Sequence, residues 1–554
     1  MLLAVLTLFC LVPFSGKAFH IDDPLFVWTA QHIVEHPFNP FGFRVAWGTT
    51  ELPLWEVTKN PPLASYYCAL IGSVAGWSER ALHFGFLLPA LTVVLGAYRL
   101  AQRFTQYPLA AAAATLLTPG FLVSSTSVMC DTMMLALWIM AMVLWVEGLD
   151  PMRPGYLVSA GLVIGACALT KYFGIALIPL LLAYSIVRRR RLENWAWYLL
   201  IPVVIVAGYQ FWARELYGTV LLGDAVRYVL SRQEGSVLAN TMIGAAFVGG
   251  CAISGLTFFP IVWSRKWRAV GIALVGLAGL SSAKGWIQLP APAGACSPWY
   301  GLSLPLALFM VGGLSIVSLA VVDWRKNKDA ESFLLLLWIL GVFLFATYVN
   351  WTINARSVLP LIPAAGISLM RRWETVGSRR WFWLQITVPL VVAGILSVWV
   401  SWGDAELANA ARKAATAIRE RTRNASGRVV FQGHWGFQYY MQSFGSVPFD
   451  APTYQVQRGD RIIVPENNTD IVALPPLAVM AQQKVEVEMP LQVTTMSLPL
   501  GAGFYYASWG PLPFAFGSVP AERYFLLEVA PVSTGQGQPF VPGTAPNCGA
   551  AHPR

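Results

Sequence analysis

Over its first four hundred residues the chain alternates long apolar runs with short charged breaks, and then that rhythm stops. An apolar run of about 20 residues has the length of a helix that crosses the hydrocarbon core of a bilayer. Such runs predict spans at about 81–101, 107–125, 129–147, 156–171, 174–187, 194–213, 240–263, 268–288, 301–322, 332–350, 356–370 and 382–402, with residues 2–14 as a retained first span. The runs 156–171 and 174–187 are short, and their pattern equally allows one long helix. Between the first two spans, residues 17–80 form a loop with an interfacial helix at 24–33 and a re-entrant or surface-lying segment at 61–77, opened by the helix-breaking pair Pro61-Pro62.

Beyond Gly403 the texture is that of a soluble protein. Residues 405–423 read as an amphipathic helix, 428–432, 461–464 and 469–474 as strands, and 433–440 as an aromatic cluster with helix-start signals. The predicted fold class is an all-α polytopic membrane protein of about 13 transmembrane helices with a small C-terminal α/β domain. Its units are a membrane domain over 1–402, an outer domain over 403–531 and a flexible Pro- and Gly-rich tail over 532–554.

Charge orients this arrangement. Basic clusters stand at Arg99/Arg103, Arg153, 188–191, Arg265/Lys266/Arg268, Arg325/Lys326/Lys328 and Arg371/Arg372/Arg379/Arg380. Loops rich in Lys and Arg face the cytoplasm, and all these clusters share one side if the N-terminus is cytoplasmic. The expectation is a multi-pass protein of the inner (cytoplasmic) membrane, with the first loop and the C-terminal domain extracytoplasmic. Residues 403–554 hold eleven basic and eleven acidic residues, so the net +10 belongs to the membrane part and gives no reason to expect a nucleic-acid partner. A hydrophobic share of 56% against 12% charged excludes an ordinary soluble enzyme. The seven cysteines lack metal-ligand spacing; only Cys296 and Cys548 are placed to meet as a disulfide outside the membrane.

Charged residues inside this apolar frame are the candidates for chemistry. Asp22 and Asp23 follow the first span almost directly. From the residues alone, capping of the next helix and general-base chemistry on an acceptor hydroxyl explain the pair equally well. Lys59 stands before the rigid Pro61-Pro62 turn, where it reads as a fixed cation for phosphate or as an interfacial snorkelling lysine. Asp131 opens an apolar helix, and Lys171 interrupts two apolar runs, where an ionisable group is costly without water or a partner. Arg356 opens another span on the same side and offers a fork of donors suited to phosphate oxygens. Lys284, Trp286 and Trp299 read as an interfacial belt.

The acidic pair, the basic-x-Pro-Pro-Leu stretch from Lys59 to Leu63 with Tyr66 and Tyr67 after it, Asp131, Thr170-Lys171 and the Arg356-x-x-Leu-Pro stretch together resemble a known family. It is glycosyltransferase family 39, the membrane enzymes related to protein O-mannosyltransferases and lipid A aminoarabinose transferases, with the C-type (GT-C) multi-helix fold. The resemblance covers roughly residues 1–402. It implies inverting transfer of a sugar from a polyprenyl-phosphate-linked donor to a lipid, glycan or protein acceptor in the envelope, with membrane lipids around it. Asp22 takes the place of the family's catalytic acid residue, and Asp23 stands where Glu is commoner, which leaves the role of Asp23 open. Lys59, Lys171 and Arg356 match basic positions near the donor phosphate. His20, Tyr66, Asp131 and Tyr172 complete the candidate substrate pocket.

No cofactor is implied, and the carboxylate set is thin for a divalent metal. A donor already activated on lipid needs no nucleotide-binding loop, and none is evident. The competing reading is a multi-span transporter or flippase of envelope lipids or solutes, which predicts midplane charges in matching halves. A third is a non-catalytic protein whose outer domain binds an envelope component.

Overall fold

The computed structural model describes residues 1–231, 236–284, 302–450, 454–455, 457–472, 474 and 478–530. Trp286, Cys296, Trp299, Cys548 and the tail over 532–554 lie outside them. The protein is mainly helical, as the apolar rhythm predicts, and carries a β-rich unit near its C-terminus.

Among the described residues seven helices are long and apolar enough to cross a membrane, where the sequence predicts about 13. They are Glu79–Phe104, Cys130–Leu149, Tyr172–Arg189, Asn194–Tyr217, Ser303–Asn327, Ala330–Val349 and Phe382–Thr422. An eighth forms if Pro108–Leu116 and Pro119–Ser125, bent by 62°, act as one broken span. The difference lies in apolar stretches that are short, interrupted or charged at one end. Leu2–Phe14, Leu63–Ala75, Pro154–Thr170 and Val237–Cys251 are shorter apolar helices. Arg265–Ala283 puts three basic residues in its first four positions, and Ile362–Val376 ends in Arg371, Arg372 and Glu374. The stretches 156–171 and 174–187 are two helices, parted where Lys171 leaves the helical conformation at φ −152°.

Helix starts follow local chemistry. Ser78, Thr118, Ser236, Asp329 and Asn354 each accept a backbone N–H of the first turn with their side chains. Within the bundle, Val237–Cys251 and Ser303–Asn327 meet backbone to backbone. A Cβ on Gly249 would lie 1.8 Å from the Phe309 carbonyl oxygen, and one on Gly313 would lie 2.0 Å from that of Ala245. Small residues at such a crossing allow the dispersion contacts that hold helices together in lipid.

The C-terminal unit, the outer unit of the sequence expectation, is built on a five-stranded sheet in the order 447–448, 429–431, 460–465, 522–530, 478–487. The strand Val429–Phe431 runs parallel to both of its neighbours, and Glu522–Ala530 runs antiparallel to both of its own. The strand expected at 469–474 is absent among the described residues. The side-chain amide of Gln432 instead accepts from the Val472 N–H at 2.9 Å and donates to its carbonyl at 3.1 Å, so this backbone needs no ladder. The predicted helix at 405–423 is the upper part of one unbroken 41-residue helix, Phe382–Thr422.

After the strand Ala478–Val487 the chain returns to the bundle. Val493, Met496, Ala502, Phe504, Tyr505, Leu512 and Phe514 are buried in the same apolar cluster as the spanning helices. Gly403 permits this return: a Cβ there would stand 2.5 Å from the Val493 carbonyl oxygen.

One buried acid in the outer unit has a measurable consequence. Glu522 is buried with the Asn467 amide donating to it at 2.6 Å, and burial pushes its carboxyl from 4.5 up to about 8. The folded state thus keeps a proton that the unfolded chain releases, so this group's contribution to stability falls as pH rises from about 4.5 to about 8. Thermal unfolding of Glu522→Gln across that window is expected to lose the part of the pH dependence that wild type shows, and the variant gains relative stability at the alkaline end.

Candidate active site

Two ion pairs gather at one end of the bundle. Asp22 follows the 3₁₀ turn of Val12–Phe14 and precedes the helix Asp23–Glu35; its Oδ2 accepts from Arg356 Nη1 at 2.7 Å. Arg356 lies in the short helix Ala355–Val358, which Asn354 caps. Asp131, in the first turn of Cys130–Leu149, accepts from Lys171 Nζ at 2.6 Å. Cys130 lies among all four charges, and Arg356 feels Asp131 as well as Asp22. Three helical segments and the first loop thus bring two acids and two bases together over sequence separations of 334 and 40 residues.

The pairs are not closed on themselves. Among the described residues, buried Arg356 Nε and Asp131 Oδ2 have no hydrogen-bond partner. The Asp22 side chain is 29% exposed, and its Oδ1 takes no protein hydrogen bond among the described residues. A buried donor, a buried acceptor and a reachable carboxylate oxygen leave hydrogen-bonding capacity that suits a ligand both anionic and hydroxylated, because unmet buried polar groups are costly.

The neighbouring candidates have other surroundings. Asp23 is fully buried, and its carboxylate accepts the His20 N–H at 2.9 Å and the Val128 N–H at 2.8 Å. Burial pushes it up to about 7 against the pull of Lys17 and those amides. This geometry fastens the first loop to the turn before Asp131 and keeps the carboxylate away from solvent. His20 is buried with its imidazole pushed down to about 4, so it offers no cation to a phosphate.

Lys59 stands apart. Its ammonium donates to the Glu56 carbonyl at 2.6 Å, lies 5.6 Å over the Tyr228 ring, and has Asp224 and Glu56 as its acidic neighbours. Among the described residues none of its contacts reaches Asp22 or Arg356. Tyr66 donates to the Pro37 carbonyl at 2.5 Å, and the Tyr172 hydroxyl accepts from Gln210 at 3.2 Å, so both hydroxyls serve packing between neighbouring elements.

A second buried charge cluster lies beside the site and is absent from the sequence reading. Lys17 Nζ donates to Asp404 Oδ2 at 2.5 Å, both side chains being fully buried. Thr495 donates to Asp404 Oδ1 at 2.6 Å, and Tyr505 donates to the same carboxylate at 3.1 Å. Lys17 also donates to Thr126 at 3.3 Å. The signal that marks Asp404 is a single acid directly after the apolar run ending at Trp402.

Comparison with known proteins finds a matching family model, described as dolichyl-phosphate-mannose-protein mannosyltransferase, over residues 59–212. That stretch includes Asp131 and Lys171 and leaves Asp22 and Arg356 outside it. The family group read from the sequence motifs is the one that this match finds. No curated protein matches the sequence. Among solved structures, the apo oligosaccharyltransferase of Archaeoglobus fulgidus aligns at 14% identity and a TM-score of 0.49, covering 81% of this chain and 64% of its own length. ArnT from Cupriavidus metallidurans bound to undecaprenyl phosphate aligns at 15% identity and a TM-score of 0.45, covering 97% of this chain and 99% of its own. The arabinofuranosyltransferase AftD from Mycobacteria aligns at 13% identity and a TM-score of 0.41, covering 96% of this chain and 40% of its own.

Proposed function

We propose that the chain is an integral membrane glycosyltransferase that moves a sugar, with inversion, from a polyprenyl-phosphate-linked donor to a lipid, glycan or protein acceptor. Its place is the cytoplasmic membrane of the cell, with the first loop and the outer unit on the extracytoplasmic face. The basic loops support that orientation, and the family match over residues 59–212 supports the reaction class. One observation carries the reading: the partly exposed carboxylate of Asp22 bonded at 2.7 Å to a mostly buried Arg356 whose Nε–H is unpaired among the described residues.

The residues divide the reaction between them. An acceptor hydroxyl attacks the anomeric carbon, and the bond from that carbon to the phosphate oxygen breaks. Asp22 takes the hydroxyl proton, and the polyprenyl phosphate leaves with the bonding electrons. Charge grows on the leaving phosphate, and Arg356, with Lys171 beside Asp131, meets it with fixed donors in a site of low dielectric. The bidentate fork of an arginine suits phosphate oxygens better than a point charge does. Asp131 holds Lys171 in place at 2.6 Å.

The test is acceptor-dependent release of polyprenyl phosphate from a panel of hexosyl and pentosyl polyprenyl phosphates by the purified full chain in lipid nanodiscs. Release with at least one donor is the expected result. No release from any of them, together with solute movement in proteoliposomes, overturns the reading in favour of transport.

A further inference from the structure

The segment over 493–515 belongs to the outer part of the chain by sequence, yet it lies against the turn that carries Arg356. The Ala355 N–H donates to the Phe504 carbonyl at 2.8 Å, and the Ala507 N–H donates to the Ile353 carbonyl at 3.0 Å. These bonds clamp the backbone on either side of Asn354, the cap of the Arg356 helix. Between them Tyr505 is buried, with the Arg356 guanidinium carbon 5.7 Å from its ring centroid. The ring is itself held: its hydroxyl donates to Asp404 at 3.1 Å, and the His20 ring meets it edge-on at 5.5 Å. Asp404 in turn is fixed by Lys17 and Thr495.

An arginine side chain has many rotamers, and a single ion pair to a partly exposed aspartate selects among them weakly. An aromatic face beneath the guanidinium removes most of the alternatives and attracts the cation as well. We infer that Tyr505 is a positioning residue for Arg356, supplied by a C-terminal segment that returns into the bundle to complete the donor-phosphate site. The inference rests on the reading of Arg356 as a phosphate ligand. It gives the outer unit a part in donor binding, since the strand Ala478–Val487 leads directly into this segment.

Two substitutions separate positioning from packing. Tyr505→Phe and Tyr505→Leu both lose the hydroxyl and its bond to Asp404, but only phenylalanine keeps a ring under Arg356. The measurement is equilibrium binding of radiolabelled decaprenyl phosphate to the full chain in nanodiscs, with Arg356→Ala alongside and thermal unfolding recorded for each variant. Tyr505→Leu is expected to bind about tenfold more weakly than Tyr505→Phe, and in turnover to raise the donor KM with a much smaller change in kcat. Tyr505→Met serves as the aliphatic variant if leucine prevents folding. Equal binding by the aliphatic and phenylalanine variants, with Arg356→Ala weakened, overturns the positioning role and leaves the phosphate site standing. Wild-type binding by Arg356→Ala overturns the phosphate assignment itself, and the role of Tyr505 with it.

Discussion

Asp22→Asn is expected to lose about 10²–10⁴-fold in sugar transfer, the usual share of a general base, while binding polyprenyl phosphate at least as well as wild type. The amide is close to the carboxylate in shape and cannot take a proton at neutral pH. The affinity should hold or rise because Arg356, bonded to Asp22 at 2.7 Å, no longer divides its charge between that carboxylate and the phosphate. The same competition has a catalytic use. A donor phosphate that draws Arg356 toward itself would loosen the pair and free an Asp22 oxygen for the acceptor hydroxyl when substrate is present. Turnover and lipid binding measured on one preparation check both arms; full transfer by the variant removes Asp22 from the reaction. Asp23→Asn is the contrast, because that carboxylate accepts two backbone amides and its loss falls on folding.

The second large effect is on stability. Lys17→Met leaves the Asp404 carboxylate buried without its cation, and Asp404→Leu leaves the Lys17 ammonium without its anion. Breaking a buried pair from one side costs about 3–5 kcal/mol, because the remaining charge has been taken out of water and is left unpaired. Both members are fully buried here, so neither can regain water by a change of rotamer. The double variant Lys17→Met/Asp404→Leu removes both charges and is expected to recover part of the loss. Thermal unfolding midpoints of the three proteins in one detergent give the coupling directly. Additive losses would mean that the pair contributes nothing as a pair.

The parts of the site that stand out in the sequence are charges in apolar surroundings. Asp22, Asp131, Lys171 and Arg356 are visible because an ionisable group near lipid is expensive and so marks a partner or a function. Which charge meets which is set by tertiary packing and has no local signature: Asp22 and Arg356 are 334 residues apart. Lys59 shows the limit of local reasoning. Its proline pair does fix the backbone, but the helix Leu54–Val57 and Tyr228 decide where the ammonium goes. Asp404 hides in composition, since it stands two residues past the last apolar position and counts as part of a charge-balanced soluble stretch. Tyr505 hides among Gly and Pro in a stretch, 489–521, that holds no charged residue to mark it.

The spanning helices are legible in kind, and among the described residues seven pass by length and composition. Apolar length alone does not separate a straight span from a pair of helices broken at Leu117 and Thr118, or from a helix that begins with three basic residues in four positions. The strand at 469–474 fails for a different reason: a side-chain amide imitates a neighbouring strand, and hydropathy carries no record of that.

The unbroken helix Phe382–Thr422 joins the bundle to the outer unit without a linker. At 1.5 Å per residue its 41 residues form a rod about 60 Å long. Its one internal proline is Pro389, close to the end remote from the outer unit, and a helix bends most readily where proline removes a hydrogen bond. Asp404 stands on this rod and accepts from Tyr505 at 3.1 Å, so a change of bend at Pro389 would be carried by one continuous helix to the residue that lies beneath Arg356.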